Sequence, residues 1–455
     1  MFLRIFIIIL LNLGYTYSWE LSSWRTRNKS QQPMYKDMTK LLRVEDILKN
    51  KPPLVVSTEI DELKNNLVGV EKGDSFLFMG GDCAETYREH STQNIINNYQ
   101  LFILSTIILL NNSGKKIVKI ARAAGQFSKP RSSEYEYVNN TEFYSYKGDM
   151  INGEDLSKRE PNPELMIKAY TQSVETLNLI RALSSSYRFS NINVNDWKFD
   201  FKTEIYNKKP IEQLLTNLQN TINLLKGMDI SNTDNMNTAK LYTGHEGMLL
   251  NYEEMLTRKD RFSDKYYDCS SHFVWIGERT RDINKAHVEF FKGISNPIGI
   301  KLSSNIHKYD LIRLLNILNP INESGKIILI IRMGDKIRNK LPELIEIVKL
   351  FGKKVTWVCD PMHANGKVAN GVKTRYMYDI VKEIDEFFGI HRECGSIPGG
   401  IHLEMTANDV TECIGGKYIF NYDDTFLNKK YLTSCDPRLN FFQTVEIVEY
   451  VSKMI

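Results

Sequence analysis

At 455 residues, 42% of them hydrophobic, the chain can bury a large core; this excludes a disordered polymer and allows one large domain with extensions, or two domains. Its 59 Lys and Arg against 55 Asp and Glu leave a net charge of +4, too slight to argue for nucleic acid or a membrane surface, so any basic chemistry must be local. Six cysteines without paired short spacing (Cys83, Cys269, Cys359, Cys394, Cys413 and Cys435) indicate neither a disulfide framework nor a zinc ribbon, and leave free thiols or ligands open.

Residues 1–18 carry one positive charge at Arg4, an apolar run from Ile5 to Leu11 and small or polar residues up to Ser18. That pattern predicts a secretory leader, far short of the ~20 residues that span a bilayer, with an N-terminal helix as the alternative. Asn28-Lys29-Ser30 and Asn139-Asn140-Thr141 fit the glycosylation pattern, which an Asn-rich chain also produces by chance. Residues 19–72 hold short helical patterns such as Met38 to Leu48, broken at Pro52-Pro53, and read as an N-terminal layer packed on the domain that follows.

Ser75 to Gly81 is an apolar strand running into glycines, with Asp82-Cys83-Ala84-Glu85 straight after it; Cys83 reads equally as a buried, inert thiol. A helix is expected from Ile95 to Leu110, then a second strand, Ile117 to Ile120, ending in Arg122. Lys129, Arg131 and Ser132 follow among small residues, an arrangement that suits either an oxyanion cradle or a solvated basic loop. Residues 133–200 read as irregular and helical. Ile211, Leu214, Leu215, Leu218, Ile222 and Leu225 recur at helical spacing, which predicts a packing helix inserted around residues 208–226.

From residue 240 the rhythm tightens. Lys240 to Thr243 leads into Gly244-His245-Glu246, Phe273 to Ile276 into Gly277-Glu278-Arg279, Pro297 to Ile300 into Lys301, and Ile327 to Ile331 into Arg332. Val355 to Val358 leads into Cys359-Asp360-Pro361-Met362-His363, where Pro361 stops the ladder because it has no N–H; Ile401 to Thr406, carrying Glu404, closes the series. Eight short strands, most followed by helical patterns and each ending in charge, thiol or imidazole, predict an α/β fold: a (β/α)8 TIM barrel over residues 73–455, with a doubly wound sheet as the rival. Closure of a barrel would set Cys83, His363 and Glu404 on adjacent strands, facing Arg122, Arg279, Lys301 and Arg332. Four cations at one mouth would repel unless compensated, so an anionic, phosphorylated or carboxylated ligand is expected.

Several of these runs, taken together, resemble one family. Gly80 to Glu85, Lys129-Pro130-Arg131-Ser132, Tyr146 to Gly153, Trp275 to Arg281, Cys359 to His363, Gly371 to Arg375, Pro398 to His402, Thr411-Glu412-Cys413 and Cys435 to Asn440 are similar, in this order, to the class II (plant-like) 3-deoxy-D-arabino-heptulosonate 7-phosphate (DAHP) synthases. The resemblance runs from about Trp19 to the C-terminus. It implies condensation of phosphoenolpyruvate with erythrose 4-phosphate and water, a homo-oligomer (dimer or tetramer), and one divalent cation held by Cys83, His363, Glu404 and Asp436. A thiolate mixed with imidazole and carboxylates suits Mn²⁺, or Co²⁺ or Zn²⁺, better than Mg²⁺.

By the same resemblance Arg122, Glu278, Arg279, Lys301 and Arg332, with Trp275, would hold phosphoenolpyruvate, and Lys129, Arg131, Ser132 and Lys373 the sugar phosphate. Glu278, Lys301, Arg332 and Glu246 would carry the catalytic roles, Glu278 by placing the water. Met79, Gly244 and Ser303-Ser304 depart from the family pattern, and no departure removes a charged site residue. A secretory leader sits awkwardly with a thiolate ligand, because Cys435 adjoins Asp436 and a Cys83–Cys435 disulfide would block the cation; a plastid reached through the secretory route would reconcile them, and a non-functional leader would leave a cytoplasmic enzyme. A barrel metallohydrolase of phosphate esters and a secreted, non-catalytic barrel are the rival readings.

Overall fold

The computed structural model describes residues 19–186, 193–194, 197, 206–227, 240–419 and 424–455. The expected leader over residues 1–18 lies outside them. Eight parallel strands close a barrel: β1 (Ser75–Gly81), β2 (Lys116–Arg122), β3 (Tyr242–Glu246), β4 (Phe273–Ile276), β5 (Ile298–Leu302), β6 (Ile327–Ile331), β7 (Thr356–Cys359) and β8 (Pro398–Glu404). Every strand expected from the sequence is present, and the ring closes by pairing β1 with both β8 and β2. The doubly wound sheet is thereby excluded.

Both faces of these strands are buried, which is why they read as nearly unbroken apolar runs. Alternate residues point to opposite sides. Leu77, Met79, Val118, Ile120, Phe273, Ile328, Ile330 and Val358 fill the interior, and Leu63, Leu67 and Val70 of the helix Ser57–Lys72 join that cluster. Phe76, Phe78, Ile117, Val274, Ile276 and Ile331 face outward into the helical shell. Residues 19–72 are therefore part of the packed structure: Leu41, Val44 and Leu48 of the helix Met38–Lys49 share a second cluster with Tyr252, Met255 and Leu256. The helix expected around 208–226 spans Lys208–Gly227, with Ile211, Leu218 and Ile222 buried.

Two hairpins were not expected, one within the segment read as irregular and helical and one around the Gly371 to Arg375 motif. Tyr135–Val138 pairs with Thr141–Tyr144 across Asn139-Asn140, both at positive φ (50° and 62°), and Lys367–Ala369 pairs with Val372–Thr374 across Asn370-Gly371 (47° and 77°). Asn-Asn and Asn-Gly supply the left-handed conformation that a two-residue hairpin turn needs, so the signal was in the sequence. Among the described residues, no helix is long and apolar enough to cross a membrane.

The register fixes the mouth of the barrel. Gly81 lies opposite both Glu404 on β8 and Arg122 on β2. Its φ is +142°, and a Cβ there would sit 2.7 Å from the Arg122 carbonyl oxygen, a backbone atom that cannot swing aside. Gly81→Ala is expected to cost about 2–3 kcal/mol in denaturant unfolding and to displace Arg122. A midpoint within error of the wild type would contradict the register.

Candidate active site

β7 and the turn after it set the centre. The Asp360 N–H donates to the Ile331 carbonyl (2.7 Å) and prolongs the ladder by one residue before Pro361 ends it. Asp360 Oδ1 then accepts the N–H groups of Met362 (3.1 Å) and His363 (3.3 Å), a turn that folds the His363 ring back over the barrel mouth. His363 Nδ1 lies 2.8 Å from Asp360 Oδ2, and Nε2 lies 3.0 Å from Glu404 Oε1.

Two carboxylates, both 0% exposed, organise everything else. Glu404 receives Arg122 Nη2 and Lys129 Nζ on Oε1 (3.2 Å each) and Arg375 Nη2 on Oε2 (2.8 Å). Lys301 Nζ and His402 Nδ1 each lie 3.1 Å from Asp360 Oδ2, the imidazole outside hydrogen-bond geometry. Burial by itself would raise both carboxyls; His363, Lys129 and Arg375 hold Glu404 well below the usual carboxylate range, and His363 and Lys301 do the same for Asp360. Burial also pushes Lys301 down to about 8, against the pull of Asp360, and His402 down to about 3, so the His402 ring is neutral. Trp275 forms a floor, its ring 5.2 Å from the Arg122 guanidinium and 5.8 Å from Lys301 Nζ.

The loop after residue 432 brings a third carboxylate. Arg438 is buried, pairing with Glu412 (Nη2 to Oε1, 2.9 Å; Nε to Oε2, 3.1 Å) and with Asp82 (2.7 Å), and this pins the loop over β1. Asp436 then sits with its N–H 3.3 Å from Cys83 Sγ and its Oδ2 at 3.8 Å. Cys83 and Cys435 are both free thiols, and burial pushes Cys83 up.

The donor set suits a divalent cation. His363, Glu404 and Asp436 each offer an atom within 4.8 Å of the other two, as do Cys83, Cys435 and Asp436, so Asp436 links the thiol to the imidazole and the acid. An Nε2 facing a carboxylate oxygen at 3.0 Å requires a proton or a cation between them. The carboxylate on Nδ1 is the partner that orients a metal-bound imidazole. Asp360→Asn is expected to weaken divalent-cation affinity by about 10–100-fold, read by equilibrium dialysis of the folded variant. Unchanged affinity would show that Asp360 does not orient His363.

The residues expected from the sequence fall into three groups. Arg122, Lys129, Lys301, Trp275, His363 and Glu404 meet at the centre; Arg332 joins them, its Nη2 donating to the His363 carbonyl (2.7 Å) while its buried Nε has no partner among the described residues. Arg279 turns away from this group: it is exposed and donates to Ser132 Oγ (3.0 Å), beside Arg131, whose Nη1 approaches Cys435 Sγ (4.0 Å); Lys373 reaches Asp436 Oδ1 at 3.5 Å. Glu278 binds Ser303 through its N–H (2.8 Å) and Oγ (2.7 Å), and Arg281 (2.6 Å). Glu246 is buried on β3, its N–H donating to Gln126 Oε1 (3.0 Å).

Of the four cations expected at one mouth, Arg279 stands apart; Arg122 and Lys301 pair with Glu404 and Asp360, while Arg332, among the described residues, meets only the His363 carbonyl, so an excess of positive charge remains. Sequence reasoning missed Arg375, His402 and the Arg438–Glu412 pair as working parts. His402 was findable: it lies two residues before Glu404 on one strand and must share its face.

Residues 19–452 match the Class-II DAHP synthetase family. The chain is 39% identical over 437 residues to a phospho-2-dehydro-3-deoxyheptonate aldolase of Streptomyces coelicolor, covering 95% of this chain and 96% of that one. It is 38% identical over 452 residues to a protein of the same description from Neurospora crassa, covering 95% and 94%. With family-wide coverage and relatives of this likeness along nearly its whole length, the chain belongs to the class-II DAHP synthetase family.

Proposed function

We propose that this chain condenses phosphoenolpyruvate with erythrose 4-phosphate and water, giving 3-deoxy-D-arabino-heptulosonate 7-phosphate and phosphate, the first step of the shikimate pathway. The observation that carries this reading is the juxtaposition at one barrel mouth of a thiol, an imidazole and two acids with Lys301, Arg332 and Arg122. Cys83, His363, Glu404 and Asp436 would hold the cation, Mn²⁺, Co²⁺ or Zn²⁺ in place of Mg²⁺, because a thiolate beside imidazole and carboxylates disfavours Mg²⁺ most. When bound, the cation supplies Lewis acidity toward an aldehyde oxygen.

The chain's own residues do the rest. Phosphoenolpyruvate carries a carboxylate and a phosphate on one carbon, so it needs several rigid cations to present one face of its C3. Lys301 and Arg332 supply them, Lys301 held by Asp360 and Arg332 by the His363 carbonyl, with the unpartnered Arg332 Nε free to donate. Arg122 adds a donor from beneath, over Trp275. Arg131, Ser132 and Lys373 would take the sugar phosphate; Arg279, exposed and bonded to Ser132, would then stand nearer that phosphate than phosphoenolpyruvate, while Lys373 lies against Asp436. Lys129, expected with the sugar-phosphate residues, is buried and paired with Glu404 at the centre. Glu278 orients the attacking water only by releasing Ser303 or Arg281; a Glu278→Gln enzyme with unchanged turnover would remove it from that role.

The test is phosphoenolpyruvate consumption by metal-stripped enzyme, with and without erythrose 4-phosphate and with and without Mn²⁺. Loss of substrate is expected only when both are present. Phosphate release from phosphoenolpyruvate alone would favour a hydrolase and overturn the reading.

A further inference from the structure

We propose that His402 is a positioning residue that aims the Arg122 guanidinium at substrate phosphate by accepting one of its N–H groups. The proposal deepens the synthase reading and rests on it. Arg122 has five N–H donors and no acceptor. Nε donates to the Asp82 carbonyl (2.8 Å), and Nη2 to the Cys83 carbonyl (2.9 Å) and Glu404 Oε1 (3.2 Å). Nη1 meets His402 Nε2 at 2.7 Å. Among the described residues, that leaves one N–H, on Nη1, for a ligand. His402 therefore controls the nitrogen that carries the only uncommitted donor.

The tautomer follows from the partners. Arg122 can only donate, so His402 Nε2 must accept; the ring proton then sits on Nδ1, which lies 3.1 Å from Asp360 Oδ2 but outside hydrogen-bond geometry. The ring is wholly buried, 5.8 Å from Trp275 in an edge-on contact and stacked 6.1 Å from His363 at 4°. Asp360 holds His363 and Lys301, and the His402 ring, packed beside Asp360 and Trp275, holds Arg122 through Nε2.

The two ring nitrogens can be tested separately, because an Asn side chain reaches about where Nδ1 lies and a Gln side chain about where Nε2 lies. His402→Asn keeps a polar group beside Asp360 and leaves Arg122 Nη1 without its acceptor. His402→Gln restores that acceptor. Loss of a hydrogen bond to a charged group corresponds to about a ten- to hundredfold effect, so His402→Asn should raise KM for phosphoenolpyruvate by at least about tenfold. KM for erythrose 4-phosphate and Mn²⁺ affinity by dialysis should stay within about threefold, and His402→Gln should recover most of the phosphoenolpyruvate KM.

A His402→Asn enzyme with unchanged phosphoenolpyruvate KM overturns the proposal. So does an equal fall in Mn²⁺ affinity, or a Gln variant more impaired than the Asn variant. If only one variant folds, it still decides: Asn must be impaired and Gln must be close to wild type. A wild-type enzyme inactive on both substrates would instead sink the synthase reading, before any variant is made.

Discussion

Glu404→Gln is expected to lose turnover by about a thousandfold or more and to be about 3–5 kcal/mol less stable. The two losses share a cause. Glu404 is wholly buried and takes Arg122, Lys129 and His363 on one oxygen and Arg375 on the other. An amide of the same shape carries no charge and sets an NH₂ against groups that can only donate. Breaking a buried ion pair by removing one partner leaves the others charged and uncompensated, the costly case. Activity should fall further because Glu404 is proposed to hold the cation, whose Lewis acidity would be worth several kcal/mol. Steady-state kinetics and a urea titration read the two losses separately. Wild-type values in both would show that Glu404 is not the hub.

Arg438→Met should lower stability by a similar amount, about 3–5 kcal/mol, although Arg438 would touch no substrate. Its guanidinium is 2% exposed and answers both oxygens of Glu412 and one of Asp82. Methionine fills the space and leaves two buried carboxylates facing each other's field. Asp436 lies two residues before Arg438 and the Asp82 carbonyl holds Arg122 Nε, so the loosened loop should also weaken Mn²⁺ binding. Thermal unfolding and dialysis are the readouts. A variant with wild-type Tm would mean that the pair contributes nothing net, as happens when desolvation balances attraction.

The strand ends were legible because a buried parallel strand writes a β-branched run, and its last polar residue marks the mouth. Val355 to His363 shows this in one line: the apolar residues become β7, Pro361 closes it, and Asp360 and His363 emerge where the chemistry lies. Barrel closure then made neighbours of Cys83, His363 and Glu404 before any coordinates.

The direction of long side chains was not legible. Arg279 and Arg122 both end strands, yet one turns out to Ser132 and the other in to Glu404, a choice decided by tertiary partners that no local pattern encodes. Arg375 was hidden for the same reason. It follows a hairpin whose Asn370-Gly371 turn was readable, but its burial against Glu404 and the Pro437 carbonyl depends on a loop sixty residues later in the chain.

The most direct test of the account is anomalous diffraction at the manganese edge from crystals equilibrated with Mn²⁺. One peak per chain is predicted, within bonding distance of Cys83, His363, Glu404 and Asp436 together. A peak elsewhere on the molecule, or none with those four side chains in place, would contradict it.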